Sequence, residues 1–377
     1  MPIFDVRHQE RAQRILLRAL SGERLPHAYV FHGPPGVGKR MLADRLAMRL
    51  LCPQPRRIEP PEWAGEAFEG IDCVDACGDC PDCHTVRAET HADLHVIHRG
   101  LREFLSNPEA RRRKGLELGV DIIRQFLIDA VGKRPMRGRA KVFIIEEAER
   151  LNEESQNAML KTLEEPPATT FIILLTRAME RLLPTVRSRA HPVPFRALPA
   201  EFVEAKLREL RPNLPPDEAT YLARLAGGRL GVAVRYADDG IQQMKRAVGE
   251  QLASLSPHTA EDFARMLGEQ AAAYAARIAD RDEGTDTETE IHRVGLRAML
   301  AALATFYTDA LRQRTGAAAL PANVDQPRVI EAIVRRSSPR GLTNAIREIV
   351  AAESGIDRNV NVPLALASLA IRLAECG

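Results

Sequence analysis

The sequence lacks the features of a secreted or membrane-spanning chain. No uninterrupted apolar run approaches the roughly 18 residues that a membrane span requires. The opening stretch, MPIFDVRHQERAQR, carries acidic and polar residues where a signal peptide needs an apolar core. We therefore expect a cytoplasmic protein that makes no contact with a membrane.

An excess of charge of one sign is also absent. Lys and Arg total 53 and Asp and Glu total 51, so the net charge of +2 does not mark a nucleic-acid-binding protein. Basic side chains do gather at 99–114 and 133–139, which leaves a contact with DNA phosphates open. Because no series of aromatic residues alternates with these charges to stack on bases, we favour a solvated surface loop.

The length of 377 residues indicates more than one domain, because single cores usually stop growing at about 250–300 residues. Continuous apolar strands are predicted at 28–31, 141–145 and 171–176, between amphipathic helices, which is typical of a parallel sheet covered on both faces. Beyond about residue 196 only helical patterns remain, and no internal repeat is found. The predicted domains are an α/β domain at 1–195 and two helical domains at 196–242 and 243–377.

A phosphate-binding loop follows the first predicted strand. The segment GPPGVGK matches the P-loop pattern over seven positions and precedes a predicted helix. Its glycines let backbone N–H groups face a phosphate, and its lysine supplies a charge for the β and γ oxygens. The sequence therefore predicts a nucleotide site, with a purely structural turn as the alternative; its residues are Gly33, Gly36, Val37, Gly38, Lys39 and Arg40.

Two residues depart from the pattern that holds magnesium. Arg40 replaces the Ser or Thr whose hydroxyl helps to hold Mg²⁺, and a guanidinium repels a cation. Glu146 stands where an Asp is usual after the strand at 141–145, and Glu147 follows in register to orient a water molecule. We expect weak or absent hydrolysis, while ATP binding through the glycine amides and Lys39 remains compatible with the sequence.

Four of the six cysteines lie within eleven positions, from Cys73 to Cys83. In a reducing compartment such a cluster favours metal binding over disulfides. Cys77, Cys80 and Cys83 supply three thiolates, and a structural zinc ion needs a fourth ligand, for which Cys52 and Cys73 are both candidates. The sequence therefore predicts a small zinc module at about 52–84, whose closed ligand set has no catalytic role.

The order of these segments resembles the bacterial DNA polymerase III clamp-loader subunits of the AAA+ family over most of the chain. The matching segments are the P-loop with a cysteine ending its helix, CGDCPDC, VDIIRQ, KVFIIEEAERLNEESQNAMLKTLEEPP and RLLPTVRSRA. The resemblance implies an AAA+ domain, a helical lid at 196–242 and a collar at 243–377 through which subunits form a ring. It implies tau/gamma and delta subunits, the sliding clamp and primed DNA as partners, a nucleoid-associated location, and Cys52 rather than Cys73 as the fourth zinc ligand.

The resemblance also implies roles for single residues. Arg189 matches the arginine of the family's Ser-Arg-Cys motif, with Ala190 in place of the cysteine, which implies an arginine finger for a neighbour's γ-phosphate. Thr176 stands at the sensor-1 position, and Gly231 replaces the sensor-2 arginine of hydrolysing subunits. These features imply a weakly hydrolysing or non-hydrolysing ring component. The alternatives are a short, active tau/gamma-type motor and a zinc-containing nucleotide- or DNA-binding regulator that acts alone.

Overall fold

The structure is a computed structural model that describes residues 3–22, 25–112, 117–137, 140–280, 287–318, 321–356 and 361–376. The chain divides into two compact units, 1–198 and 199–377. The first unit ends at Leu198, where the sequence predicts the α/β domain to end after residue 195. The division of the helical part at residue 242 stays a prediction.

A parallel sheet forms the centre of the first unit, with strand order β4-β5-β6-β1-β7 among the described residues. A separate antiparallel pair, β2-β3, lies in the predicted zinc module. The strands are β1 (Ala28–His32), β2 (Arg56–Arg57), β3 (Val74–Asp75), β4 (Leu94–Ile97), β5 (Lys141–Ile145), β6 (Thr170–Thr176) and β7 (His191–Pro194).

The three predicted strands β1, β5 and β6 are confirmed, and they occupy the middle of the sheet. The sequence did not predict β4 and β7, which are its two edges. Proline cannot donate to a sheet ladder and is tolerated at an edge, so HPVP of β7 gives no strand signal. The burial of β4 is only partial, since His95 and Val96 are half-buried, and its apolar pattern is correspondingly short.

Helices cover both faces of this sheet. Alternate residues of β1 face opposite sides, so Phe31 packs in one cluster with Leu42 and Leu46, while Val30 packs in another with Met159. The apolar spacing of VDIIRQFLIDAV predicts one helix over 120–131, and the structure has a π-helical turn at Arg124–Ile128 between α5 and α6. The helices are α1 (Glu10–Ser21), α2 (Lys39–Leu51), α3 (Pro81–Arg87), α4 (Pro108–Arg112), α5 (Val120–Ile123), α6 (Asp129–Val131), α7 (Glu153–Glu164) and α8 (Pro184–Arg187).

The second unit is helical throughout its described residues, as the sequence predicts. Its helices are α9 (Ala200–Leu210), α10 (Pro216–Leu225), α11 (Leu230–Asp238), α12 (Ile241–Ala253), α13 (Ala260–Ala279), α14 (Glu288–Thr315), α15 (Pro327–Arg336), α16 (Pro339–Ile356) and α17 (Val362–Glu375). The acidic, polar run RDEGTDTETE at 281–290 predicts an exposed loop, and residues 281–286 of it lie outside the described residues. Glu288 to Glu290 instead begin α14, because the Thr287 side chain caps the Glu290 N–H and acidic residues suit a helix N-terminus.

Helix α14 has the length and composition of a membrane span, although its sequence contains no uninterrupted apolar run of that length. It has 28 residues and, by those two criteria alone, would qualify. However, 61% of its most apolar window is buried inside the structure, and Met299, Leu303 and Phe306 are fully buried. Burial of this extent is what a core helix of the second unit requires.

Candidate nucleotide site and metal centre

The phosphate loop between β1 and α2 has the backbone conformation that its glycines permit. Gly33, Gly36 and Gly38 have φ angles of 138°, 71° and 102°, a region that glycine adopts without steric cost. A Cβ atom at Gly33 would lie 2.4 Å from the Phe195 carbonyl oxygen, and one at Gly38 would lie 2.9 Å from Val6 Cγ1. The loop therefore retains the turn geometry of a phosphate-binding loop.

The Lys39 ammonium group lies over the carbonyl groups of this loop. Its Nζ atom donates to the carbonyl oxygens of Gly33 and Pro34 at 2.5 and 2.6 Å. Burial lowers the pKa of Lys39 to about 8; the Glu149 carboxylate opposes this shift and Arg177 adds to it. The lysine is therefore still mostly protonated at neutral pH.

The two departures from the magnesium-binding pattern contact each other. Arg40 Nη1 donates to Glu146 Oε1 at 2.5 Å, although the residues are 106 positions apart. Arg40 also donates from Nε to Asp44 Oδ1 and from Nη2 to Glu89 Oε1, both at 2.8 Å. Burial lowers the pKa of Arg40, but the hydrogen bonds and charges of Asp44 and Glu146 outweigh it and raise this pKa above its ordinary value.

The sequence interpretation missed Asp44 and Glu89 as partners of Arg40. Asp44 carried a signal, because a residue four positions along a helix lies on the same face. Glu89 carried none, since it follows α3 with a left-handed φ of 56° and reaches Arg40 only through the fold.

Glu147 is engaged in contacts that oppose the role suggested by its position after β5, which is to orient a water molecule. Its backbone is left-handed, with φ 48° and ψ 45°. One carboxylate oxygen accepts from Arg99 Nε at 2.7 Å, and the other accepts from Arg150 Nε at 3.1 Å. Because both oxygens bind guanidinium groups, orienting a water molecule would compete with these two ion pairs.

Thr176 ends β6 beside a carboxylate that the sequence interpretation also missed. Its hydroxyl donates to Glu149 Oε2 at 3.0 Å, and Glu149 Oε1 pairs with Arg177 Nε at 3.0 Å. The Glu149 side chain is only 8% exposed, and its charge acts on Lys39. Glu149 therefore belongs to the surroundings of the phosphate loop; its place in the EEAE run after β5 was the available signal.

Arg189 lies just before β7, at the end of the sheet opposite the phosphate loop. Its Nη2 contacts Glu164 Oε1 at 2.5 Å and its Nη1 donates to the Thr185 carbonyl oxygen at 3.0 Å. It lines an open groove of about 530 Å³ with His27 and His191, at the starts of β1 and β7. The phosphate loop follows the end of β1, so the length of this strand, roughly 15 Å, separates the two sites.

The sulfur atoms of four cysteines, Cys52, Cys77, Cys80 and Cys83, lie within 4.8 Å of one another. Those of Cys52 and Cys77 are 3.6 Å apart, and those of Cys77 and Cys83 are 3.8 Å apart. Tetrahedral zinc with Zn–S bonds of about 2.3 Å places its sulfurs about 3.8 Å apart, so this donor set fits a zinc ion. The Cys73 sulfur contacts the Ile71 carbonyl oxygen at 3.5 Å and is not part of the group.

Backbone groups and burial act in opposite directions on these thiols. Backbone hydrogen bonds, that of Asp79 first, lower the pKa of Cys77 to about 6. Burial raises the pKa of Cys52 and of Cys83. Cys52 caps the carboxyl end of α2, so the cysteine group is attached directly to the helix that begins at the phosphate loop.

Several of the described side chains in the predicted basic stretches contact other residues of the chain. Arg102 donates to the Glu117 carbonyl oxygen at 2.9 Å, Arg111 donates to that of Leu105, and Arg137 pairs with Asp82 at 2.7 Å. Residues 113–116 and 138–139 lie outside the described residues. These contacts favour the interpretation of a surface loop.

A parallel sheet of this strand order, with a phosphate loop after β1, acidic residues after β5 and a threonine ending β6, defines a P-loop protein of the AAA+ class. Sequence comparison then identifies the family. The family described as "DNA polymerase III, delta subunit" matches residues 8–199, just over half of the chain, and its C-terminal counterpart matches residues 291–375. The chain belongs to this DNA polymerase III subunit family.

Relatives in several bacteria carry the name DNA polymerase III subunit delta'. The Pseudomonas aeruginosa protein is 32% identical over 61% of this chain and 61% of its own length. The Escherichia coli protein is 28% identical over 92% of this chain and 89% of its own. Among solved structures, a DNA polymerase III gamma subunit-related protein from Thermotoga maritima aligns over 98% of this chain and 99% of its own, with 17% identity and a TM-score of 0.40.

Proposed function

We propose that the chain is a delta'-type subunit of the DNA polymerase III clamp loader, which takes part in ATP-dependent loading of the sliding clamp onto primed DNA. In this proposal it hydrolyses ATP weakly or not at all and supplies Arg189 to a neighbouring ATPase subunit. The observation that carries it is the 2.5 Å ion pair between Arg40 and Glu146, which occupies the two positions that hold magnesium in hydrolysing P-loop proteins.

The other parts of the proposal follow from the same sites. The four-cysteine group holds a structural zinc ion, in which every ligand position is filled and none is left for catalysis. The second unit acts as lid and collar, divided near residue 242. Tau/gamma and delta subunits are the partners, and the complex acts in the cytoplasm at the nucleoid.

We expect the purified chain to show no DNA-stimulated ATPase activity, and to assemble with tau/gamma and delta subunits into a complex that does. The measurement is ATP turnover of the chain alone and of the complex isolated by size exclusion. Vigorous turnover of the chain alone that Lys39→Ala abolishes would identify a short tau/gamma-type motor. Failure to associate with either subunit would identify a regulator that acts alone.

We also expect the affinity of the chain for ADP to fall as the pH rises through about 8. The pKa of Lys39 is lowered to about 8, so its positive charge is present below that pH and is lost above it. The measurement is ADP affinity from about pH 7 to 9.5. In the control variant Lys39→Arg the charge persists, so any residual affinity should not change with pH. A flat profile for the unmodified chain would contradict the role of Lys39.

A further inference from the structure

The guanidinium group of Arg40 has capacity for a further ligand. It carries five N–H donors, and its contacts with Asp44, Glu89 and Glu146 engage one donor on each of its three nitrogens. Its side chain is 28% exposed. Within the part of the chain that the structure describes, two N–H groups therefore remain at a position adjacent in sequence to Lys39, at the start of α2.

The three carboxylates fix Arg40 in place. Asp44 comes from α2 itself, Glu146 follows β5 and Glu89 follows α3, so the guanidinium is held from three separate elements. An arginine keeps its charge at any accessible pH. A divalent cation would have to displace this guanidinium from Glu146, the carboxylate that would bind the cation and that is already engaged at 2.5 Å.

The phosphate-binding part of the loop has no corresponding defect. The three glycines keep their positive φ angles, and Lys39 lies over the loop. One half of an ordinary nucleotide site, the anion-binding half, is therefore intact, while the cation-binding half is replaced by a fixed protein cation.

We infer that this loop binds the polyphosphate of a nucleoside di- or triphosphate without a divalent cation, with the Arg40 guanidinium in the position and the electrostatic role of Mg²⁺. The inference rests on the proposed function, which has nucleotide bound at this loop, and it adds the form of the ligand. The metal-free nucleotide is the ligand, and the ion pair of Arg40 and Glu146 determines that specificity.

The test is the affinity of the full-length chain for ADP, measured by calorimetry in excess MgCl₂ and in excess EDTA. We expect tighter apparent binding in EDTA than in MgCl₂, because Mg²⁺ in solution complexes ADP and lowers the concentration of the metal-free nucleotide. The Arg40→Ser variant has a hydroxyl group at the position that binds magnesium in other P-loops, and its three carboxylates no longer pair with a guanidinium. Binding of ADP should therefore become magnesium-dependent and weaken at least about tenfold in EDTA. Arg124→Ser removes an exposed arginine elsewhere in the same unit and should behave as the unmodified chain does.

A second measurement keeps the inference testable if Arg40→Ser does not fold. Mn²⁺ replaces Mg²⁺ and is paramagnetic, so its binding with ADP is measured directly on the unmodified chain, where no immobilised Mn²⁺ is expected at the loop. Loss of ADP binding in EDTA, immobilised Mn²⁺, or no ADP binding in either condition would overturn the inference. Each result is distinct from failure of the proposed function, which is failure to assemble with tau/gamma and delta subunits.

Discussion

Replacement of Arg189 by alanine should lower kcat at the neighbouring ATP site of the assembled clamp loader by about 10³-fold or more, the range measured for arginine fingers in other P-loop proteins. The reason is geometric. Arg189 lies at the start of β7, the length of β1 away from this chain's own phosphate loop, so any phosphate that it reaches belongs to another subunit. The measurement is single-turnover ATP hydrolysis by a complex reconstituted with tau/gamma and delta subunits.

The same variant should leave the fold and the assembly unchanged. The side chains of Arg189 and Glu164 are 34% and 47% exposed, and exposed ion pairs contribute only about 0–1 kcal/mol to stability. Arg187→Ala is the matched control, because Arg187 is an exposed residue of the same groove. Arg189→Lys keeps the charge but loses the planar fork and should recover only part of the rate. An assembled complex whose turnover is unchanged by Arg189→Ala would refute the arginine finger.

The sequence predicts the central strands and the phosphate loop because these features are local. β1, β5 and β6 are continuous apolar runs that follow from burial on both faces, and the glycine spacing of the loop follows from its φ angles. The edge strands β4 and β7 were missed because an edge strand tolerates proline and partial exposure, which weakens the pattern.

The contacts that give the nucleotide site its character are not local. The sequence presents Arg40 and Glu146 as two separate departures, and their 2.5 Å contact joins residues 106 positions apart through the order of the sheet. For Glu147 the register alone suggested a catalytic position. The left-handed backbone and the ion pairs with Arg99 and Arg150 depend on the turn after β5 and on the segment after β4.

The fourth cysteine ligand shows the same limit. The spacing of the cysteines does not decide whether Cys52 or Cys73 is the fourth ligand. Proximity in sequence to the other three cysteines even favours Cys73. The pairing of β2 with β3 folds the chain back on itself, which returns Cys77 to the end of α2, where Cys52 lies. The same turn leaves the Cys73 sulfur on the Ile71 carbonyl oxygen.

Removal of the zinc ion that we propose for the four cysteines should destabilise the first unit by several kcal/mol. Apparent binding free energies of structural zinc are about 10–16 kcal/mol in small peptides, and in such modules they are folding free energy. The module also holds the N-terminal segment: the Ile3 N–H donates to buried Asp75 at 2.5 Å, and Phe4 packs edge-on against Phe68. We expect a strong chelator to lower the melting temperature and to speed hydrogen exchange in residues 3–9 as well as in the module.

Two single substitutions make this prediction specific to the cysteines that the structure groups together. Unmodified protein and Cys73→Ser should each contain one zinc ion per chain by elemental analysis, while Cys52→Ser should lose the ion, because three sulfurs leave the tetrahedron open. Both variants remove one buried thiol, so a nonspecific packing effect would lower stability equally in both. Loss of zinc from Cys73→Ser, or retention in Cys52→Ser, would reverse the ligand assignment.

The chelator effect should also reach the nucleotide site. Gln9, at the end of the N-terminal segment, donates to the Val37 carbonyl oxygen of the phosphate loop at 3.3 Å. We therefore expect ADP affinity to fall when zinc is removed, although the four grouped cysteines are not part of the loop sequence.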